Sequence, residues 1–347
     1  MSAALRAAFL SQAQSCEALG SPFMARLMRL MADHWPGDTA LAARVAAWPG
    51  RIDSAGDSLP LRIAGGLHAL VLSGQDSALA AVYPPHQVDD DALIAAVLAA
   101  LRRHDADLCA GLSRAPQTNE VGRSAVLIAA GNALAARFGL PLALSELGAS
   151  AGLNLMFDRF ALATPGGTIG PADSPVRLAP DWRGDPPMAG PLVVADRQGV
   201  DLNPADPRDP GDRLRLLSYL WPDQPARLTR AKAAMAMFDA QVARGDAVDW
   251  LAMRLAHPMP DRLHLIYSTV AWQYVPAAAQ ARGTRLIEAA GRGATDQAPL
   301  AWLTYEADSQ SPGAGVTLRL WPGDLRLDLG RACFHGRWID WKRPLQD

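Results

Sequence analysis

A small-residue loop behind an acidic residue is the part of this chain best suited to binding a ligand. The loop covers residues 146–152, Glu-Leu-Gly-Ala-Ser-Ala-Gly, and the apolar run 140–145 before it predicts a short buried strand. Residues 153–157 predict the start of a helix. A strand, a small-residue loop and a helix in this order expose backbone N–H groups to a nucleotide-like ligand. An ordinary tight turn is the alternative.

Within the loop, the candidate cofactor-binding residues are Glu146, Gly148, Ser150 and Gly152. The two glycines have G-x-x-x-G spacing, which differs from the G-x-G-x-x-G of a dinucleotide site. Glycine lets a ligand lie against the backbone because it has no Cβ. The loop, with its acidic strand end, resembles the first motif of class I S-adenosylmethionine (SAM) methyltransferases.

Polar residues also follow three later strands of the predicted sheet. Asp201 can accept hydrogen bonds from ribose hydroxyls, Asp246 can accept one from an adenine amino group, and Ser268 ends a further strand. In an open parallel sheet the ligand lies beyond the carboxyl ends of the strands. The series resembles the successive SAM-binding motifs of class I methyltransferases over about residues 117–342. The resemblance implies SAM as the cofactor and a polar end of the fourth strand that faces the methyl donor.

The spacing of these motifs departs from the family pattern. About fifty residues separate Gly148 from Asp201, where the usual unit needs about twenty. A Pro- and Gly-rich insertion at about 161–190 accounts for the difference. An Asx turn is the alternative role for Asp201, and a helix N-cap is the alternative for Asp246.

A polar string precedes the predicted helix 121–137, which leads by a short turn into the first strand. Helix and strand should run antiparallel, which places Gln117, Asn119, Glu120 and Arg123 beside the loop. Glu120 is a candidate to hold the SAM ammonium or to act as a base. The other three are candidate substrate-binding residues, with Arg123 suited to a carboxylate. Helix capping explains one or two of them equally well.

Two residues toward the C-terminus complete the candidate site. His335 is the best general-base candidate because histidine titrates near neutral pH. Its alternative is a surface or turn histidine before a glycine. Tyr274 can line a substrate pocket, although aromatic residues after a core strand usually pack.

Composition limits the partners of the protein. The 347 residues include 33 Lys plus Arg and 35 Asp plus Glu without a basic run, which argues against nucleic acid. The three cysteines are widely spaced, with no metal-binding pattern, and suit a reducing compartment. We identify no signal peptide and no apolar run of membrane-spanning length. We therefore expect a cytoplasmic protein that contacts no membrane.

The pattern of elements predicts two domains. Residues 1–115 predict a helical N-terminal domain, and residues 116–347 predict alternating helices and strands. Runs at 316–320 and 325–329 flank a turn and predict a closing antiparallel hairpin. The expected fold class is α/β, a Rossmann-like, class I methyltransferase-type, mainly parallel sheet.

Several rare strings also resemble a bacterial family of unknown function over nearly the whole chain, a resemblance that transfers no activity. They are Gln117–Ser124, Glu146–Leu155 with Asp158–Phe160, Asp201–Pro204, Trp221–Asp223 and His335–Gly336. The sequence therefore predicts a SAM-dependent methyltransferase acting on a small molecule. A SAM- or nucleotide-binding protein without methyl transfer, or a nicotinamide-dependent oxidoreductase, is the alternative. The methyl acceptor and oligomeric state do not follow from the sequence.

Overall fold

The computed structural model describes residues 1–342, a mixed α/β chain with a helical N-terminal region and a large, mostly parallel sheet. The α-helices are α1 (Ala3–Ala18), α2 (Pro22–His34), α3 (Ala40–Ala46), α4 (Leu59–Leu72), α5 (Ser77–Ala80), α6 (Asp90–Arg103), α7 (Asp105–Gly111), α8 (Ser124–Phe138), α9 (Pro210–Ser218), α10 (Pro225–Ala236), α11 (Ala247–Arg254) and α12 (Ala277–Arg292). Shorter 3-10 helices span Val121–Arg123, Leu153–Arg159 and Trp272–Tyr274.

The strands are β1 (Leu142–Leu147), β2 (Ala161–Thr164), β3 (Gly167–Ile169), β4 (Arg177–Leu178), β5 (Asp181–Gly184), β6 (Val194–Asp201), β7 (Gln241–Arg244), β8 (Leu263–Thr269), β9 (Leu300–Glu306), β10 (Ala314–Trp321), β11 (Leu325–Ala332) and β12 (Trp338–Trp341). The main sheet has the order β5-β12-β11-β10-β9-β8-β1-β6-β7. From β7 to β9 every neighbouring pair is parallel.

The strand order reverses at β1, in the centre of the sheet. β6 and β7 lie on one side of β1, and β8 and β9 lie on the other. Ligands of open α/β sheets bind beyond the carboxyl ends of the strands at such a point. β10 and β11 then form the expected antiparallel hairpin, with Leu320 opposite Leu325.

The contacts within the chain divide it into two compact units. The first unit comprises residues 1–118 and 208–229, and the second comprises residues 119–207 and the chain from residue 230. The segment 208–229, which the sequence division places in the second domain, therefore belongs with the N-terminal helices. Asp223 explains part of this, since it accepts hydrogen bonds from Ser21 Oγ at 2.5 Å and Phe23 N at 2.9 Å.

The helices of the first unit begin where the sequence predicts. Ser21 caps α2 by accepting a hydrogen bond from Met24 N at 3.3 Å, with proline in the first turn. Asp89 caps α6 in the same way through Ala92 N at 2.8 Å. The apolar faces of both helices are buried in one hydrophobic cluster. His68 is also buried, with its Nδ1 3.1 Å from Ser218 O, so it is a core histidine.

The segment after β1 differs from the predicted helix. Residues Leu153–Arg159 form a 3-10 helix, and the chain then enters the small strands β2 to β4 instead of a longer helix. The expected insertion at 161–190 thus contains a hairpin, in which Leu162 pairs with Ile169. Its last strand, β5, pairs with β12 at the far edge of the main sheet. Across residues 1–342, none of the helices has the length and apolar character that crossing a membrane requires.

Candidate functional site

The loop after β1 is a left-handed turn folded onto the end of β6. Gly148, Ser150 and Gly152 have φ of 71°, 55° and 73°, a region that non-glycine residues seldom adopt. The N–H groups of Gly148 and Ala149 both donate to Val200 O, at 2.9 and 3.0 Å. The N–H of Gly152 donates to Ala149 O at 2.7 Å. Carbonyl oxygens of the protein therefore already accept hydrogen bonds from these N–H groups.

The glycines of the loop also make room for neighbouring protein atoms. A Cβ at Gly148 would lie 2.5 Å from the Cβ of Ala271, and one at Gly152 would lie 2.6 Å from Val242 Cγ2. The sequence interpretation assigned this space to a ligand. In the structure, close packing and positive φ already require glycine at both positions.

Glu146 is a buried carboxyl group at the end of β1. The residue is only 1% exposed, and its Oε2 is 3.4 Å from the hydroxyl of Tyr267. Burial raises the pKa of Glu146 well above its usual value, against the opposing effects of the Tyr267 hydrogen bond and the charge of Arg123. The nearby charge of Asp201 raises that pKa further. A positively charged group at this position would favour the carboxylate.

Buried polar atoms lie near this carboxyl group. Asn154 Oδ1 accepts from Ser124 Oγ at 2.8 Å, whereas Asn154 Nδ2 and Ser150 Oγ have no hydrogen-bond partner within residues 1–342. The Asn154 amide favours the charged form of Glu146 without forming a hydrogen bond of normal geometry. Buried polar groups are nearly always satisfied, so a ligand with polar atoms fits this end of β1.

Asp201 holds the loop to the end of β6. Its Oδ2 accepts from Ser150 N at 2.8 Å, and its Oδ1 accepts from Asn203 N at 2.8 Å. The second bond forms the Asx turn that the sequence analysis gives as the alternative role of Asp201. The bond to Ser150 adds a role that sequence spacing does not predict. Each carboxylate oxygen still has acceptor capacity for a further donor.

Asp246 has the capping role that the sequence offers as its alternative, Ser268 is buried and Tyr274 is exposed. Asp246 caps α11 through Val248 N at 2.8 Å and Asp249 N at 3.0 Å. Ser268 follows Tyr267, so strand alternation directs it to the opposite face of the sheet from Glu146. Its Oγ is buried and without a partner in the described chain. Tyr274 is 74% exposed.

Two residues of the polar string before α8, Asn119 and Arg123, lie at the carboxyl ends of the central strands. Asn119 Oδ1 accepts from Leu153 N at 2.8 Å, which joins the string to the segment that follows the loop. Arg123 donates to Thr269 O at 2.8 Å and to Phe334 O at 2.9 Å. The expected antiparallel arrangement of α8 and β1 is therefore confirmed. Gln117 falls in the first unit.

Glu120 and His335 meet through the backbone of Gly122. Glu120 is buried, and its Oε1 accepts from Gly122 N at 3.0 Å. His335 is half-buried, and its carbonyl oxygen would lie 2.4 Å from a Cβ at Gly122. The backbone of His335 therefore packs against the residue whose N–H donates to Glu120.

Sequence reasoning missed a carboxylate clamp at the end of β9. Both oxygens of Glu306 accept from Ala271 N at 3.0–3.1 Å, and they also accept from Trp272 N at 3.1 Å and Gln273 N at 3.3 Å. Val270, just before the clamped segment, has φ of 55°, which is strained for a β-branched residue. The signal was present, since Glu306 is an acid at the end of a strand, as Glu146 is near the end of β1.

Tyr267 and Asn154 were also missed. Tyr267 lies within an apolar strand and its type suggests packing alone, and it does contact Phe157 edge-on. Asn154 was the better signal, as a polar residue between two leucines. No group of three or more His, Cys, Asp or Glu side chains in residues 1–342 is arranged to hold a metal ion.

These features define a mixed α/β protein with a buried polar site at the carboxyl ends of its central parallel strands. The chain belongs to the family described as "uncharacterized protein conserved in bacteria" (DUF2332), whose family model matches residues 6–341. No curated protein and no solved structure gives a significant match to the chain.

Proposed function

We propose that the protein is a SAM-dependent methyltransferase acting on a small molecule, with SAM bound at the carboxyl ends of β1 and β6. The observation that carries the proposal is the junction of these strands. Glu146 is next to last in β1, a left-handed loop follows, and Asp201 at the end of β6 binds that loop through Ser150 N at 2.8 Å. An acidic strand end, a small-residue loop and a second-strand carboxylate resemble the SAM site of class I methyltransferases.

The residues at this junction fit the charges of SAM. SAM carries an ammonium group and a sulfonium centre, and the buried Glu146 carboxyl would be stabilised as an anion by a nearby cation. Asp201 retains acceptor capacity that suits ribose hydroxyls. The Nδ2 of Asn154, without a partner among the described residues, offers a donor to a carboxylate.

The same features disfavour a nicotinamide dinucleotide. Its pyrophosphate normally binds backbone N–H groups at the start of an α-helix. Here the loop leads into the 3-10 helix Leu153–Arg159 instead of an α-helix. The N–H groups of Gly148 and Ala149 already donate hydrogen bonds to the carbonyl oxygen of Val200. The raised pKa of Glu146 in its buried setting shows that negative charge is already unfavourable there.

Methyl transfer requires little beyond alignment and a proton acceptor. When bound, SAM would supply a methyl group for the nucleophilic atom of the acceptor, with the electron pair of the broken carbon–sulfur bond left on sulfur. In this proposal His335 accepts the proton that the acceptor loses. Glu120, bonded to Gly122 N beside it, helps to fix that part of the chain.

Calorimetry with S-adenosylhomocysteine (SAH) and NAD⁺ tests the proposal. We expect binding of SAH but not of NAD⁺, with loss of SAH binding in Asp201→Ala. The matched control is Asp181→Ala, which removes an exposed carboxylate from the edge strand β5 and should leave binding unchanged. Transfer of labelled methyl from SAM into a metabolite extract then separates the methyltransferase from a SAM-binding protein. Failure of SAH to bind would refute both.

A further inference from the structure

We propose that the first unit carries its own binding site for a small molecule bearing an oxyanion, a carboxylate or a phosphate. The site is a cavity of about 230 Å³ along α4 and α9. Its charged and aromatic lining consists of Arg62, Arg114, Arg215, Tyr219 and Asp107. This inference does not depend on SAM binding, since every residue of the cavity lies in the first unit.

Two glycines allow the cavity wall to form. A Cβ at Gly65 would lie 2.5 Å from Cε1 of Tyr219, and one at Gly66 would lie 2.6 Å from Cδ2 of Leu108. Their absence lets the tyrosine ring lie directly against helix α4. Beside it, Nδ1 of His68 lies 3.1 Å from Ser218 O and joins α4 to the end of α9. The tyrosine is therefore held at the cavity by backbone packing.

Unused hydrogen-bond donors line this cavity. Arg215 pairs with Asp212 through Nη2 at 3.1 Å, but its buried Nε has no partner within residues 1–342. In the same described range, the guanidinium of Arg114 forms no ion pair and the hydroxyl of Tyr219 forms no hydrogen bond. A guanidinium group can only donate, so the buried Nε of Arg215 needs an acceptor, and the exposed Arg114 is available to the same acceptor.

Arg62 supplies a fixed positive charge at the cavity. It is 8% exposed and donates to Leu112 O at 2.7 Å and to Asp57 Oδ1 at 3.0 Å. Burial raises the pKa of Tyr219, while the charges of Arg62, Arg215 and Arg114 lower it, so three guanidinium groups act on one phenol. The lining holds three arginines and Asp107, and two of the arginines, Arg62 and Arg215, also pair with carboxylates outside the lining.

The arginines of this lining match an oxyanion, because guanidinium N–H pairs fit carboxylate and phosphate oxygens. The cavity is smaller than the roughly 300–1,000 Å³ of sites for drug-sized ligands. It therefore suits a compact metabolite or a free anion in preference to a dinucleotide.

Titration of the full chain with inorganic phosphate and with succinate, at constant ionic strength, tests this site. Calorimetry and, for phosphate, ³¹P line broadening should give saturable binding of at least one anion. Arg114→Gln and Arg215→Gln should each weaken that binding at least tenfold. Arg114 is exposed, so its variant keeps the test valid if Arg215→Gln fails to fold.

Arg102→Gln is the control, because Arg102 is an exposed arginine of the same unit that pairs with Asp38. It should leave anion binding unchanged. Binding of phosphate alone or succinate alone supports the site and identifies the oxyanion. Absence of saturable binding of both anions, or equal loss in the control, would overturn the proposal. SAH titrations of the same variants should be normal, so failure of this site is distinguishable from failure of the SAM site.

Discussion

The carboxylate of Asp201 accepts a hydrogen bond from the backbone N–H of Ser150 at 2.8 Å, across 51 residues of sequence. Asp201 ends β6 and Ser150 belongs to the loop after β1, so the bond fixes the loop against the neighbouring strand. Ser150 itself has φ of 55°, and this bond helps to offset the strain of that conformation. A ligand at Asp201 would therefore act on the loop directly.

Replacing Asp201 should affect both stability and SAM binding. Asp201→Ala removes the carboxylate that accepts hydrogen bonds from two backbone N–H groups. A hydrogen bond to a charged group contributes about 1.5–3 kcal/mol to stability. We expect lower stability in urea and at least tenfold weaker SAH binding by calorimetry. Asp201→Asn keeps one acceptor oxygen and should lie between wild type and alanine in both measurements. Normal SAH affinity in a folded Asp201→Ala variant would limit this residue to its structural bonds with Ser150 and Asn203.

Glu146 predicts a specific pH dependence. Its pKa is raised above the usual 4.5 in the folded protein, so the folded state retains a proton that the unfolded state has lost. The contribution of this group to stability is therefore full below about pH 4.5 and is lost as the pH rises toward the raised value. Glu146→Gln, which is neutral throughout, should lack this loss in urea titrations between pH 4.5 and 8. An identical pH dependence in both proteins would contradict the assignment.

The same residue predicts proton release on ligand binding. A cationic group beside Glu146 lowers its pKa, so SAM should displace a proton from the free protein. Calorimetry in buffers of different ionisation enthalpy measures this number directly. We expect release in the wild type and none in Glu146→Gln. Equal proton release in both proteins would assign it to another group.

Alanine variants at two glycines separate the cost of a strained backbone from the cost of overpacking. Gly148 and Gly139 have similar φ, 71° and 65°, but only Gly148 has a neighbour where a Cβ would lie, Ala271 at 2.5 Å. Alanine at either position costs about 1–2 kcal/mol for the left-handed backbone. Gly148→Ala should cost at least about 1 kcal/mol more, because overpacking adds a further penalty. Equal losses in urea unfolding would mean that Ala271 moves away without cost.

The carboxylate of Glu306 should hold the backbone of residues 271–273 in place. Glu306→Gln leaves one acceptor oxygen for the N–H groups of Ala271, Trp272 and Gln273 and should weaken this clamp. Hydrogen exchange of residues 271–274 should then accelerate several-fold. Glu288→Gln, which removes a carboxylate bonded to Arg319 in the same unit, is the control and should leave these amides unchanged. Unaltered exchange in Glu306→Gln would show that other contacts hold the segment.

Much of the local structure could be predicted from the sequence because its signals are local. The Ser21 cap, the acidic start of α6 and the apolar run that became β1 each depend on a few neighbouring residues. The antiparallel arrangement of α8 and β1 followed from the short turn between them. The 3-10 form of the helix after β1 could not be predicted, since the apolar pattern at 153–157 fits a 3-10 helix as well as an α-helix.

The partners of the polar residues could not be predicted, because they come from distant parts of the chain. Asp201 bonds to Ser150, and Arg123 bonds to carbonyls of Thr269 and Phe334. The grouping of 208–229 with the first unit has the same cause, since it depends on contacts such as Asp223 with Ser21. Residue type alone indicates that such side chains need partners, not which partners they find.

Hydrogen–deuterium exchange with and without saturating SAH tests whether SAM binds at the ends of β1 and β6, because it reports where a nucleoside ligand binds. We expect slower exchange in 147–154 and 200–203, the loop and the strand end that Asp201 joins. In Asp201→Ala this protection should be reduced, whereas Asp181→Ala should show it in full. Exchange that SAH leaves unchanged, or protection confined to the first unit, would contradict a SAM site at the ends of β1 and β6.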